Sequence, residues 1–260
     1  MKVLFGPGGT EGLGYDEGIP KLKQLNLDAL EVEFTHSVHM KNDKAKEIGK
    51  LAKQNNITLS IHAPYFINLA TDDKEKLKAS KKRILDSCER GHHLGAKYIV
   101  FHAGFYQKKD KDEVFNTISQ QIAELNDTIK DNNWNTILAP ETTGKPSQFG
   151  SLAELLKIKK QTKSHLCIDF AHLRARNNGI IDYDEIFKKI KDLKHIHAHF
   201  SGIEWTEKGE RRHLLTEEKD ITPLLKQVIK HKTNITFINE SPSPINDALK
   251  MKQIFQKLTK

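Results

Sequence analysis

Six apolar runs in this chain end on a histidine or a carboxylate. Ile57–Ile61 leads to His62, Tyr98–Phe101 to His102, and Thr136–Pro140 to Glu141. Leu166–Ile168 leads to Asp169 with His172 three residues on, His195–Ala198 to His199, and Ile235–Asn239 to Glu240. Imidazoles and carboxylates gathered at the end of a packed core are costly without partners. A divalent cation removes that cost. A mixed nitrogen and oxygen donor set suits zinc or manganese, whereas all-oxygen sets suit magnesium or calcium. There are more donors than one tetrahedral ion needs, so a cluster of two or three ions follows, with Glu141 or Glu240 bridging.

The elements that must position these groups alternate regularly. Strand-like runs at Lys2–Gly6, Ala29–Phe34, Ile57–His62, Tyr98–His102, Thr136–Glu141, Leu166–Asp169, His195–His199 and Ile235–Glu240 each precede a helical pattern. The helices are expected at about Ile19–Leu25, Asp43–Gln54, Lys74–Leu94, Glu113–Lys130, Leu152–Lys160, Tyr183–Ile190, Ile221–His231 and Ile245–Leu258, with Ser151 as an N-cap. Eight strand–helix units without a linker describe an α/β chain closed as one (β/α)8 TIM barrel over residues 1–260. Its chemistry belongs at the carboxyl ends of the strands, where the six groups lie. No glycine-rich phosphate fingerprint supports an open doubly wound sheet; Gly6-Pro7-Gly8-Gly9 has the wrong spacing and reads as a tight turn.

Composition narrows the setting. The apolar share of 37% is enough for a core at this length, and no run reaches membrane-spanning length. Cys88 and Cys167 form no disulfide framework, which points to a reducing cytosol. The net charge of +8 fits a polyanionic partner and equally a lysine-rich solvated surface. Barrels of sugar isomerases and epimerases also place acids and a histidine at strand ends around a single metal, with two carboxylates as acid and base. Both chemistries are open on spacing alone.

The segments Ser60-Ile61-His62-Ala63-Pro64-Tyr65-Phe66-Ile67-Asn68-Leu69, Val100-Phe101-His102-Ala103-Gly104, Ala139-Pro140-Glu141-Thr142-Thr143-Gly144-Lys145, Cys167-Ile168-Asp169-Phe170-Ala171-His172 and Asn239-Glu240-Ser241-Pro242 together resemble the endonuclease IV family. The resemblance runs from the second strand to the eighth. It implies a trinuclear zinc site that hydrolyses the phosphodiester 5′ to an abasic site in duplex DNA, in a monomeric enzyme without membrane contact. One zinc would take His62, His102 and a shared Glu141. The second would add Asp169, His199 and Glu240, and the third His172 and His213. Glu141, Asp169 and Glu240 would carry the catalytic chemistry.

Two departures accompany the resemblance. The family's Asp-x-His pattern has Arg211 two residues before His213, and Glu210 is the substitute carboxylate. In the seventh strand His195, His197 and His199 alternate to one face; His199 lies nearest the rim, with His197 as the other choice and His195 structural. For DNA, the resemblance makes Tyr65 the residue inserted at the abasic gap, as an aromatic wedge offsets lost stacking. The loop His36-Ser37-Val38-His39-Met40 would enter the minor groove through His39. Lys145, Arg174, Arg176, Arg211 and Arg212 are expected in mouth-side loops, where they could meet phosphates.

Overall fold

A computed structural model describes residues 1–260. In chain order the elements are β1 Val3–Pro7, α1 Tyr15–Gln24, β2 Ala29–Glu33, α2 Asn42–Gln54, β3 Thr58–His62, α3 Lys74–Leu94, β4 Tyr98–Phe101, α4 Lys111–Asp131, β5 Ile137–Pro140, α5 Leu152–Thr162 and β6 Cys167–Asp169. They continue as α6 Phe170–Arg176, α7 Tyr183–Lys189, β7 Ile196–Phe200, β8 Gly202–Thr206, β9 Gly209–Leu214, α8 Glu218–Lys230, β10 Ile235–Asn239 and α9 Pro244–Leu258.

Two four-stranded parallel sheets, ordered β1-β10-β7-β6 and β2-β3-β4-β5, form the barrel wall. Bridges at Gly8–Glu31 and Glu141–Cys167 join them into the (β/α)8 ring. Closure depends on Gly6, where any Cβ would collide with the Ala29 carbonyl, so β1 and β2 approach more closely than a side chain permits. The helices begin where the sequence supplies acceptors. Asp73 and Asp110 cap α3 and α4, and Ser151 with Glu154 forms a capping box on α5. Gly95, at φ +71°, ends α3. The strands bury aliphatic side chains against the helices. No helix is long and apolar enough to cross a membrane.

Two elements depart from the sequence expectation. Phe170–Arg176, expected as loop, forms the short helix α6, which has too few turns to show a periodic pattern. Residues 202–214, also expected as loop, form the antiparallel hairpin β8–β9. The hairpin lies back on the β5 loop: Glu210 N–H donates to Gly144 O at 3.0 Å, and Gly209, at φ +91°, leaves no room there for a Cβ.

Candidate metal centre

Every barrel strand from β3 onward delivers a donor to one rim. His62 ends β3 and Asp169 ends β6, while His102, Glu141 and Glu240 stand one residue beyond β4, β5 and β10. His199 lies inside β7, His172 comes from α6, and His213 comes from β9. Their donor atoms converge into three sets: His62, His102 and Glu141; Glu141, Asp169, His199 and Glu240; and Asp169, His172 and His213.

Glu141 is the hub. Oε2 lies 3.2 Å from His62 Nε2 and 3.0 Å from His102 Nε2. Oε1 lies 3.2 Å from His172 Nδ1 and 3.1 Å from His199 Nδ1. Burial favours the protonated carboxyl, but the charges of His199 and then His102 outweigh it and hold Glu141 well below the usual carboxylate range. Glu240, 3.2 Å from His199 Nδ1, is held down to about 2 in the same way, with burial opposed chiefly by His199. Asp169 moves the other way: burial comes first, and His172 only partly offsets it. One Asp169 oxygen, Oδ1, caps α6 by accepting His172 N–H at 2.6 Å; the other, Oδ2, is buried without a hydrogen-bond partner.

The histidine tautomers test whether cations fit. A carbonyl only accepts, so a ring nitrogen bonded to one carries the hydrogen. His62 Nδ1 donates to Ala63 O at 2.8 Å, His172 Nδ1 to Thr142 O at 3.0 Å, and His213 Nδ1 to Glu240 O at 3.0 Å. Each neutral ring therefore turns an Nε2 lone pair inward. His62 Nε2 meets the Glu141 carboxylate, and the Nε2 atoms of His172 and His213 face each other at 3.3 Å. Glu210 Oε2 stands 3.4 Å from His172 Nε2, and Glu210 Oε1 3.9 Å from His213 Nε2. Lone pairs and carboxylates converging in this way need protons or metal ions between them. The residues fit divalent metal ions. Without one, burial is the largest influence on His62 and opposes its charge, yet Glu141 and then Glu240 outweigh it and raise the pKa to about 9.

The carboxylates missed by the sequence reading lie on β2. Glu31 is fully buried beneath the cluster, 2.8 Å from His197 Nε2 and 2.7 Å from His199 Nε2. Glu33 lines the mouth, its carboxyl pushed up to about 7 by burial and then by the charge of Glu240. Alternating acids in the otherwise apolar Ala29-Leu30-Glu31-Val32-Glu33 were the available signal. The same contacts separate the β7 histidines: His199 Nδ1 meets the cluster, His197 meets Glu31, and His195 Nε2 meets Thr236 Oγ1 at 3.0 Å, away from the cluster.

The cluster floors a cavity of about 980 Å3 whose lining includes Glu11, Glu33, Tyr65, Glu210 and Glu240 but no lysine or arginine. Tyr65 lines this cavity and is 56% exposed, and the next residue, Phe66, is 61% exposed. His39 and Lys145 are exposed in neighbouring loops. The arginines differ from expectation. Arg174 and Arg176 lie on α6, and Arg211 and Arg212 on β9. Arg176 donates to Thr143 O, Thr143 Oγ1, Lys145 O and Gln148 O, so it braces the β5 loop and has little left for a phosphate. Arg174 pairs with Asp220 at 2.6 Å. Arg211 and Arg212 both pair with Glu204, at 2.7 and 2.6 Å.

The sequence profile of the xylose isomerase-like TIM barrel family matches residues 19–259. An uncharacterised protein of Methanocaldococcus jannaschii is 36% identical over 99% of this chain and 98% of its own length. A probable endonuclease 4 of Mycoplasmoides gallisepticum is 31% identical over 63% of this chain, a match spanning only 57% of that relative. Among solved structures, endonuclease IV from Thermus thermophilus superposes with a TM-score of 0.74 at 16% identity, covering 100% of this chain and 99% of the other. A D-tagatose 3-epimerase-like protein superposes with a TM-score of 0.75 at 20% identity, covering 100% and 97%. At such identities the superpositions speak for the fold alone. The chain belongs to the xylose isomerase-like TIM barrel family.

Proposed function

We propose that this protein is a metal-dependent endonuclease of DNA repair, cutting duplex DNA on the 5′ side of an apurinic or apyrimidinic site. The observation that carries the reading is the third donor set, in which His172 and His213 turn their Nε2 lone pairs on each other beside Glu210. A sugar isomerase working with one metal has no use for it. Relatives named probable endonuclease 4 add support.

In this reading His62, His102 and Glu141 hold one ion, Glu141, Asp169, His199 and Glu240 a second, and His172, His213 and Glu210 a third, Glu210 replacing the aspartate that Arg211 displaces. The mixed donors suit zinc, with manganese as the other choice. Bound ions supply Lewis-acid activation of water and neutralise phosphate charge. The chain supplies the rest. Four imidazole nitrogens surround Glu141 at 3.0–3.2 Å, and the α6 cap fixes Asp169 through Oδ1, leaving Oδ2 for an ion. Glu240, 3.2 Å from His199 Nδ1 and 4.0 Å from His213 Nδ1, would help hold the second ion and orient the attacking water. Tyr65, on the rim, fills the gap left by the missing base. Lys145 and His39 meet the backbone and groove.

The test is incision of a duplex carrying one abasic-site analogue, by metal-free protein and after zinc is returned. A single zinc-dependent cut leaving a 3′-hydroxyl supports the reading; an intact duplex opposes it.

One observation favours a second reading. A mouth lined by carboxylates without a lysine or arginine suits a polyhydroxylated sugar better than a polyphosphate. Zinc- or manganese-dependent epimerisation of a keto-sugar, with no incision, would establish it.

A further inference from the structure

We infer that Glu31 is a positioning residue for the metal centre, fixing His199 from behind through a carboxylate–histidine contact. The inference rests on the metal reading above. Glu31 lies one layer below the cluster and is completely buried. Its Oε2 accepts from Ser60 Oγ at 2.6 Å and from His197 Nε2 at 2.8 Å, which anchors the carboxylate to β3 and β7 at once. Its Oε1 stands 2.7 Å from His199 Nε2, while the opposite nitrogen of that ring, Nδ1, faces Glu141 and Glu240 at 3.1 and 3.2 Å. His199 is therefore held between a buried anion on one edge and the donor cluster on the other.

Two features argue that the contact acts toward a metal ion. His199 Nε2 and Glu31 Oε1 are close but not aligned as a hydrogen bond, so each is left without a well-directed partner. The ring also differs from His62, His172 and His213, whose outer nitrogens each bond a backbone carbonyl. Of these four rings it is the one whose second nitrogen faces a carboxylate outside the donor sets. Such a partner fixes which nitrogen carries the hydrogen and raises the basicity of the other. With an ion on Nδ1, Nε2 would carry the hydrogen and turn it onto Glu31 Oε1, 2.7 Å away.

The experiment titrates metal-free protein with zinc against a chromophoric chelator, comparing the wild type with Glu31→Gln and Glu31→Asp. Glu31→Gln keeps the volume but removes the charge. It should lower the affinity for one bound ion by about 10–100-fold, leave the other ions unaffected, and shift the visible spectrum of the cobalt-substituted protein; Glu31→Asp should restore part of the loss. A nitrogen-15 spectrum of zinc-loaded wild type, which needs no variant to fold, should show His199 with its hydrogen on Nε2. Wild-type affinity and spectrum in Glu31→Gln, or a hydrogen on His199 Nδ1, would overturn the role of Glu31 alone. A wild type that binds no zinc would overturn the metal reading, and this inference with it.

Discussion

His172, on a short helix after β6, and His213, on a hairpin strand after β7, meet Nε2 to Nε2 at 3.3 Å. Each spends its Nδ1 hydrogen on a backbone carbonyl, so neither is free to donate from Nε2 while neutral. His213→Ala should therefore remove one equivalent of bound zinc without disturbing the others. Incision should fall at least about 100-fold, beyond the loss typical of a residue that only supports a ligand. Glu210→Gln should act in the same direction but less severely. Zinc content and single-turnover incision measured on the same preparations check both.

Glu141→Gln should abolish incision of abasic duplex with the fold retained. The carboxylate is shared by two donor sets, and four imidazole nitrogens lie at 3.0–3.2 Å from it. Near-normal turnover with an unchanged circular dichroism spectrum would contradict its position at the hub.

Metal-free protein should lose stability as the pH rises. The folded pKa of His62 is raised to about 9 from an ordinary 6.5. A raised value stabilises fully below the unfolded pKa and is lost as pH climbs through the folded one, here between about 6.5 and 9. His172 and His199 are raised too, burial opposing and neighbouring acids prevailing. Zinc-loaded protein, with these rings held neutral by the ion, should not show this decline. Thermal melts from about pH 6 to about pH 9.5, with and without zinc, provide the comparison.

Much of this arrangement was legible in the sequence, and the gaps have physical causes. Donors at strand ends stand out because an apolar β-branched run stops on them, as at His62 and Asp169. Glu31 did not, because it sits inside a strand and its reason for burial, two histidines on β7, is distant in the chain. The helix carrying His172 is shorter than the window in which a 3.6-residue period can be seen. The hairpin has no glycine-rich dipeptide signal; its turn instead depends on Gly209 packing against Gly144. Arg176 read as a phosphate contact because the acceptors that engage it lie far back in the chain, on the β5 loop.

Tyr65→Ala should weaken binding to abasic duplex by about 1–3 kcal/mol, the scale of lost base stacking, and leave zinc content unchanged. The ring is over half exposed and lies 5.6 Å from His62, centroid to centroid. Loss of metal in this variant would assign Tyr65 to the packing of the centre.

Lys145→Ala and Arg176→Ala should separate phosphate contact from bracing. Lys145 is exposed, so removing it should reduce the salt dependence of duplex binding, measured in chelator, by about one unit of slope. Arg176→Ala should leave that slope alone and lower the melting temperature, since it strands carbonyls worth about 1–3 kcal/mol in hydrogen bonds.

The most direct test of the central claim is the number of ions that the mouth holds. Metal-free protein titrated with zinc, with bound metal counted by elemental analysis, should take up two to three equivalents per chain, and His213→Ala one fewer. Saturation at a single equivalent, unchanged in His213→Ala, would contradict the multi-metal centre.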